Sequence, residues 1–376
     1  MALRRSLDRR EFLRTVAGTA SVGALCGFTG LHAQTRPSRP KVIVVTFGGG
    51  ARDEETFAPE GQANIPHMLN ELIPRGTFFT QVVNHGILGH YVATASLATG
   101  VYETLNNFAA APPANPTVFE YFRCALGRPA HDAWVVAPSN GFNRIGGSSH
   151  RSYGPQFGAE VILPKQLLAA AMADGTDAGL EHLLRDNYET PLFAPALSEG
   201  SLDPTRTAEL LKLSFSDFIM HARNLASPDE LSVYIAKRLM DQLAPSLLWV
   251  TLHDIDIAHS GAYSLYLDGI RRSDRLCADI WNAIETSPEY KGRTTLLILP
   301  DFGRDADTNP SGNGFQHHRT GDALSRTTWM LALGPGVREG AVVNRPVNSL
   351  DLAPTLGKLL DFSPSLAQGR PLVEVL

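Results

Sequence analysis

Three segments of this chain gather side chains that hold ions and move protons. The first, directly after the apolar run Leu247–Leu252, reads His253-Asp254-Ile255-Asp256-Ile257-Ala258-His259. The second follows the run 296–300 and begins Asp301-Phe302-Gly303-Arg304-Asp305. The third is Asn313-Gly314-Phe315-Gln316-His317-His318-Arg319. Carboxylates and imidazoles together are donors for hard or borderline divalent cations. Each segment alone is an ordinary polar loop after a strand. Three in succession, all leaving the same end of a sheet, read as a candidate metal centre. Its donors are Asp254, Asp256, His259, Asp301, His317 and His318. Asp254 and Asp256 compete for one place, and Asp256 fits better because Asp254 directly follows the strand. A divalent ion there (zinc, calcium or manganese) acts as a Lewis acid or lowers the pKa of water.

The elements that must position these residues are legible in the hydrophobic pattern. Val42-Ile43-Val44-Val45-Thr46-Phe47 is a continuous apolar, β-branched run of the kind buried on both faces of a sheet. Similar strands are expected at 77–83, 133–137, 247–252, 295–299 and 328–333. Helical spacing is expected at 65–73, 165–185, 208–225, 228–243 and 263–286. Alternating strands and helices predict an α/β fold with a largely parallel central sheet covered by helices on both faces. Ligands of such sheets sit outside the carboxyl ends of the strands, where the three clusters emerge. One domain is expected over 41–376, with 102–242 read as a helical and loop insertion or cap.

Composition narrows the function classes. With 376 residues, 43% hydrophobic and 19% charged, the chain is globular rather than disordered or fibrous. Three cysteines cannot make a disulfide scaffold. Cys26 lies in the leader, and Cys124 and Cys277 could pair. A formal charge of −5 argues against general nucleic-acid binding. Residues 1–33 read as a twin-arginine signal: Arg9-Arg10-Glu11-Phe12-Leu13-Arg14, then a mild apolar run too short and polar to span a membrane stably. The segment 34–40 is a linker. The expected partner during export is the twin-arginine translocase, and the expected location is periplasmic or secreted. That route carries folded proteins, often with their cofactor already bound.

The set of motifs resembles the alkaline phosphatase and sulfatase superfamily. The resemblance rests on the three clusters, on Gly334-Pro335-Gly336-Val337 and on Ser349-Leu350-Asp351-Leu352-Ala353-Pro354-Thr355-Leu356. Phe47-Gly48-Gly49-Gly50 and the stretch from His85-Gly86 to Thr99-Gly100 resemble a bacterial, twin-arginine-exported, sulfatase-like branch of unassigned activity. The likeness covers 41–104 and 247–362. It implies an alkaline phosphatase-like fold, a divalent metal, and a small-molecule or saccharide phosphate or sulfate ester as substrate. Three departures bear on catalysis. Gly48 stands where the superfamily places a metal-binding Asp, and Phe302 where Asp is followed by His. Counting back from Gly100, His90 stands where a Ser, Thr or Cys nucleophile is expected, with Thr94 and Ser96 displaced. His90 is therefore the candidate catalytic residue, as nucleophile or general base; with His85 it also reads as an ordinary loop histidine. The alternative to a hydrolase is a catalytically inactive binding protein that keeps the fold and one ion. His67, His131, His182 and His221 stand alone and read as structural or exposed. The loop 146–149, with Arg144, His150 and Arg151, could bind an anion. Arg271, Arg272 and Arg275 read as a solvated helix face.

Overall fold

The computed structural model describes residues 39–109, 111–173, 179–184, 200–307 and 313–376. The twin-arginine segment lies outside them. Nine strands form one sheet among the described residues: β1 (Lys41–Phe47), β2 (Gly76–Val83), β3 (Ala133–Val136), β4 (Glu160–Ile162), β5 (Leu247–Leu252), β6 (Thr294–Pro300), β7 (Thr327–Leu333), β8 (Ala341–Val343) and β9 (Val347–Asn348). Their order is β4-β3-β5-β1-β6-β7-β2-β8, with β9 also pairing with β2. Only β7 runs against the others, antiparallel to both β6 and β2. The expected largely parallel α/β sheet is what the chain forms.

The helices used below are α1 (His90–Thr99), α2 (Val118–Leu126), α3 (Pro164–Met172), α4 (Pro228–Leu243), α5 (Tyr263–Thr286) and α6 (Leu352–Leu360). Strand alternation divides the core between the two faces. On β1, Ile43, Val45 and Phe47 join residues of α3, α4 and α5. Val42 and Val44 face the opposite way, into a core shared with α1, α2 and α6. Residues 102–242 thus supply β3 and β4 to the central sheet and helices to both faces.

Several local expectations differ from the fold. The helical run 65–73 contains a π turn at Met68–Leu72. The run 208–225 is two helices, Pro204–Leu210 and Phe215–Ala222, broken at Lys212 by a left-handed backbone (φ 48°). The run 165–185 holds α3 and a short helix Glu181–Leu184. Helix α1 has no polar face, because every one of its residues is buried, so no amphipathic period announced it. Helix α2 carried a readable sign: Thr117 and Glu120 form a reciprocal capping box. Cys124 is exposed, Cys277 is buried, and both thiols are free. No described helix is long and apolar enough to cross a membrane.

Candidate metal centre

Three strands end level with one another at the centre of the sheet. Phe47 pairs with Leu252 on one side and with Pro300 on the other. The next residues therefore leave the sheet side by side: Gly48 from β1, His253 from β5 and Asp301 from β6. The ladder continues for one step, since the Gly48 amide donates to Leu252 O (2.7 Å) and the Asp301 amide to Phe47 O (3.0 Å). Helix α1 brings its first residue, His90, to the same place.

After β5 the chain winds into a 3₁₀ helix, Asp254–Ser260. In a 3₁₀ helix, residues three apart eclipse one another. Asp256 and His259 consequently share a face, with His259 Nε2 3.3 Å from Asp256 Oδ1. Asp254 faces elsewhere. Its carboxylate accepts from Arg272 on α5 (2.8 Å), and its amide donates to Asp229 (2.7 Å). The third loop sorts its two histidines in the same manner. At His317 the backbone is extended (φ −129°, ψ 156°), so neighbouring side chains point to opposite sides. His318 enters the centre, 2.8 Å from His259 Nε2, and His317 stays outside it. Of the sequence-derived donors, Asp256, His259 and His318 are thus brought together. Asp254 and His317 are not.

One donor atom each from His90, Asp256, His259 and His318 lie within 4.8 Å of one another. The ring nitrogens are set for coordination. His90 Nδ1 lies 2.8 Å from Asp301 Oδ2, and His318 Nδ1 lies 3.2 Å from Leu88 O. With the proton on Nδ1 in both rings, each Nε2 presents its lone pair to the centre. Asp256 Oδ2 is buried and faces His90 Nε2 at 3.2 Å. Three imidazoles and a carboxylate form a four-donor nitrogen and oxygen set suited to a divalent ion. The residues present fit such an ion.

Asp301 contributes from behind. Its Oδ1 accepts the amides of Gly49 and Phe302, both at 2.9 Å, and its Oδ2 is committed to His90. It orients a donor and is not one of the four. Gly49 has φ +76°, a backbone that disfavours other residues. A Cβ there would also lie 2.7 Å from Arg304 and 3.1 Å from Asp256 Oδ1.

The charges follow from burial and neighbours. Burial alone would depress the His90 imidazolium, but Asp256 and Asp301 on either side outweigh it and raise it to about 10. Burial also works against the Asp256 carboxylate, yet His90, His259 and Arg304 hold it well below the usual range. Burial, then the charge of His90, lowers His253 to about 3 and His318 to about 2. Without an ion, the centre is an imidazolium clasped by two carboxylates.

His253 is the residue that sequence reasoning passed over. Its ring packs against His90 and Phe142, with centroids 5.5 and 4.9 Å away. It lies where a side chain on position 48 would have to go: a Cβ on Gly48 would overlap its Cδ2 and Nε2. The bare backbone at Gly48 and the His253 ring are two halves of one packing arrangement across paired strands. The only readable sign was that each residue directly follows an apolar run.

The residues considered for attack or anion binding are buried or paired within the protein. His90 is 2% exposed and stacks on Phe302 with centroids 4.9 Å apart. Ser96 Oγ donates to Val92 O (2.8 Å) and accepts the Glu103 amide (3.0 Å). Thr94 Oγ1 is buried one helical turn beyond His90. Ser148 of the glycine-rich loop donates from both its amide and hydroxyl to Glu120, so that loop is held by an anion of the protein itself. Arg272 and Arg275 pair with Asp254 and Glu230.

No family model matches the chain, and no curated protein matches it. Solved structures do. A phosphonate monoester hydrolase from Silicibacter pomeroyi superposes with TM-score 0.53 at 12% identity, over 89% of this chain and 76% of that one. The alkaline phosphatase PafA gives TM-score 0.53 at 13% identity, over 90% and 99%. A sulfatase from Pseudoalteromonas sp. gives 0.50 at 12%, over 87% and 69%. At these identities the likeness is one of fold: the chain has the alkaline phosphatase-like α/β architecture.

Proposed function

We propose that this chain is an exported, divalent-metal-dependent hydrolase of phosphate or sulfate esters that works without a covalent serine, threonine or cysteine nucleophile. The observation that carries the reading is the ring of His90, Asp256, His259 and His318 at the level ends of three central strands. An ion in that ring supplies Lewis acidity and a lowered pKa for water. The chain's own residues do the rest. Asp301 holds the His90 tautomer, Arg304 orients Asp256, and His259, the most exposed of the four with 26% of its side chain open, marks the side from which an ester enters. We assign His90 as an ion donor rather than the attacking group. Structures of like fold include a phosphonate monoester hydrolase, a phosphatase and a sulfatase, which supports a phosphate or sulfate ester as the substrate class. Export rests on Arg9-Arg10 and the mild apolar run behind them, and places the protein in the periplasm or outside the cell.

A second reading has its own observation. His90 fills the nucleophile position and completes a four-donor set, and structural metal sites are closed in this way. A non-catalytic ion-binding protein is the result if no position stays open. Elemental analysis of purified protein followed by a panel of aryl phosphates, phosphodiesters and sulfates separates the two. Turnover that disappears with a chelator and returns with added metal supports the hydrolase. An ion bound in stoichiometric amount with no turnover on any ester assigns the binding role. A protein that neither holds nor needs an ion overturns both.

A further inference from the structure

Around this centre the groups that would hold a second cation are already used by the protein. Arg304 is fully buried and donates to Asp256 Oδ1 at 2.7 Å. It is fixed there by donation to Phe315 O (3.2 Å) and Ile255 O (3.5 Å), and its guanidinium lies 5.7 Å from the centroid of the Tyr266 ring. Both oxygens of Asp301 are taken, one by two backbone amides and the other by His90. The room beside Gly48 is filled by the His253 ring. Of the four carboxylate oxygens facing this region, only Asp256 Oδ2 is held by neither Arg304 nor a backbone amide nor His90 Nδ1; it faces His90 Nε2 at 3.2 Å, a contact that a single ion would replace.

We infer that the centre takes a single divalent ion per chain, and that the buried Arg304 guanidinium stands permanently in the place of a second cation. The inference rests on the proposed ion-binding reading and adds its stoichiometry and the role of Arg304. Charge balance supports it. With His90 neutral as an ion donor, Arg304 alone is one monovalent cation against two buried carboxylates, and buried charge is tolerated only when paired. One divalent ion and one guanidinium against Asp256 and Asp301 leave a single net positive charge, enough to attract an anionic ligand. A second ion would have no unsatisfied oxygen to bind and would face Arg304 across a low-dielectric interior.

The test is ion binding, measured by equilibrium dialysis with elemental analysis, using zinc alone and manganese alone on the purified full chain. The expected result is one ion per chain at saturation. Two ions overturn the inference while leaving the proposed function standing, whereas none removes both. The Arg304→Gln variant separates a charge role from a prop. Removing a like charge beside the ion tightens its binding, expected by tenfold or more. A variant that stays folded by circular dichroism but binds more weakly makes Arg304 a prop for Asp256 and overturns its role as a cation. Should that variant not fold, Arg304→Lys keeps the charge, and its one-ion stoichiometry with affinity within threefold of wild type is the required result. A second ion in Arg304→Lys refutes the inference.

Discussion

Replacing Gly48 with alanine should be costly, and costly because of His253. A Cβ at position 48 would lie 3.0 Å from His253 Cγ, with Cδ2 and Nε2 closer still. The ring has little room to retreat. Phe142 and His90 flank it, and its amide is tied to Asp229 at 2.7 Å. Overpacking of a close-packed site costs about 1–3 kcal/mol, and this overlap belongs at the upper end, about 3 kcal/mol. With an unfolding entropy of ~2.1 cal/mol/K per residue, that is a fall of about 4 °C in Tm for a domain of this size. Urea unfolding of Gly48→Ala, His253→Ala and the double variant measures the coupling directly. His253→Ala alone opens a cavity and is itself destabilising, but in the double variant the new methyl enters that cavity. The two costs should therefore fall short of additivity by about 1.5 kcal/mol or more. Additive costs, or a Gly48→Ala variant as stable as the parent, would refute the claim that His253 occupies the position-48 side-chain space.

The remaining expectations come from the same geometry and from the leader. His318→Ala should weaken zinc binding by a hundredfold or more, measured by competition with a chelating dye, while His317→Ala changes it by less than threefold; the reverse order would put the wrong histidine in the centre. Burial raises the Asp274 carboxyl from 3.8 to about 6, against the donated amides of His67 and Met68. A raised folded pKa means the folded state holds the proton more tightly, so this group destabilises at neutral pH and the cost shrinks as pH falls through 6 toward 3.8. Asp274→Asn should flatten the stability profile between pH 7 and 5 in urea titrations, and an unchanged slope removes Asp274 as its source. Changing both Arg9 and Arg10 to lysine should leave the precursor in the cytoplasm on cell fractionation, and normal export would end the twin-arginine assignment.

Much of the framework was determined by sequence alone. Continuous apolar β-branched runs announced the central strands, and β5, α4 and α5 fall on the residues their patterns marked, because buried strands and amphipathic helices each impose one period. The polar clusters were legible for the same reason: in a mostly parallel sheet, the residues after an apolar strand emerge at its carboxyl end. Selection among neighbours was decided only by the tertiary structure. His318 rather than His317 turns inward because the backbone at 317 is extended, and Asp256 pairs with His259 because that turn winds as a 3₁₀ helix. The fit of the His253 ring into the space beside Gly48 required knowing that β1 and β5 pair with their ends level. Asp301 and Arg304 lie in the loop after β6 and His90 opens α1, and their hydrogen bonds, not their residue types, divide ion donor from support. Sequence spacing records distance along the chain, whereas coordination depends on which way each side chain leaves a backbone fixed by distant contacts.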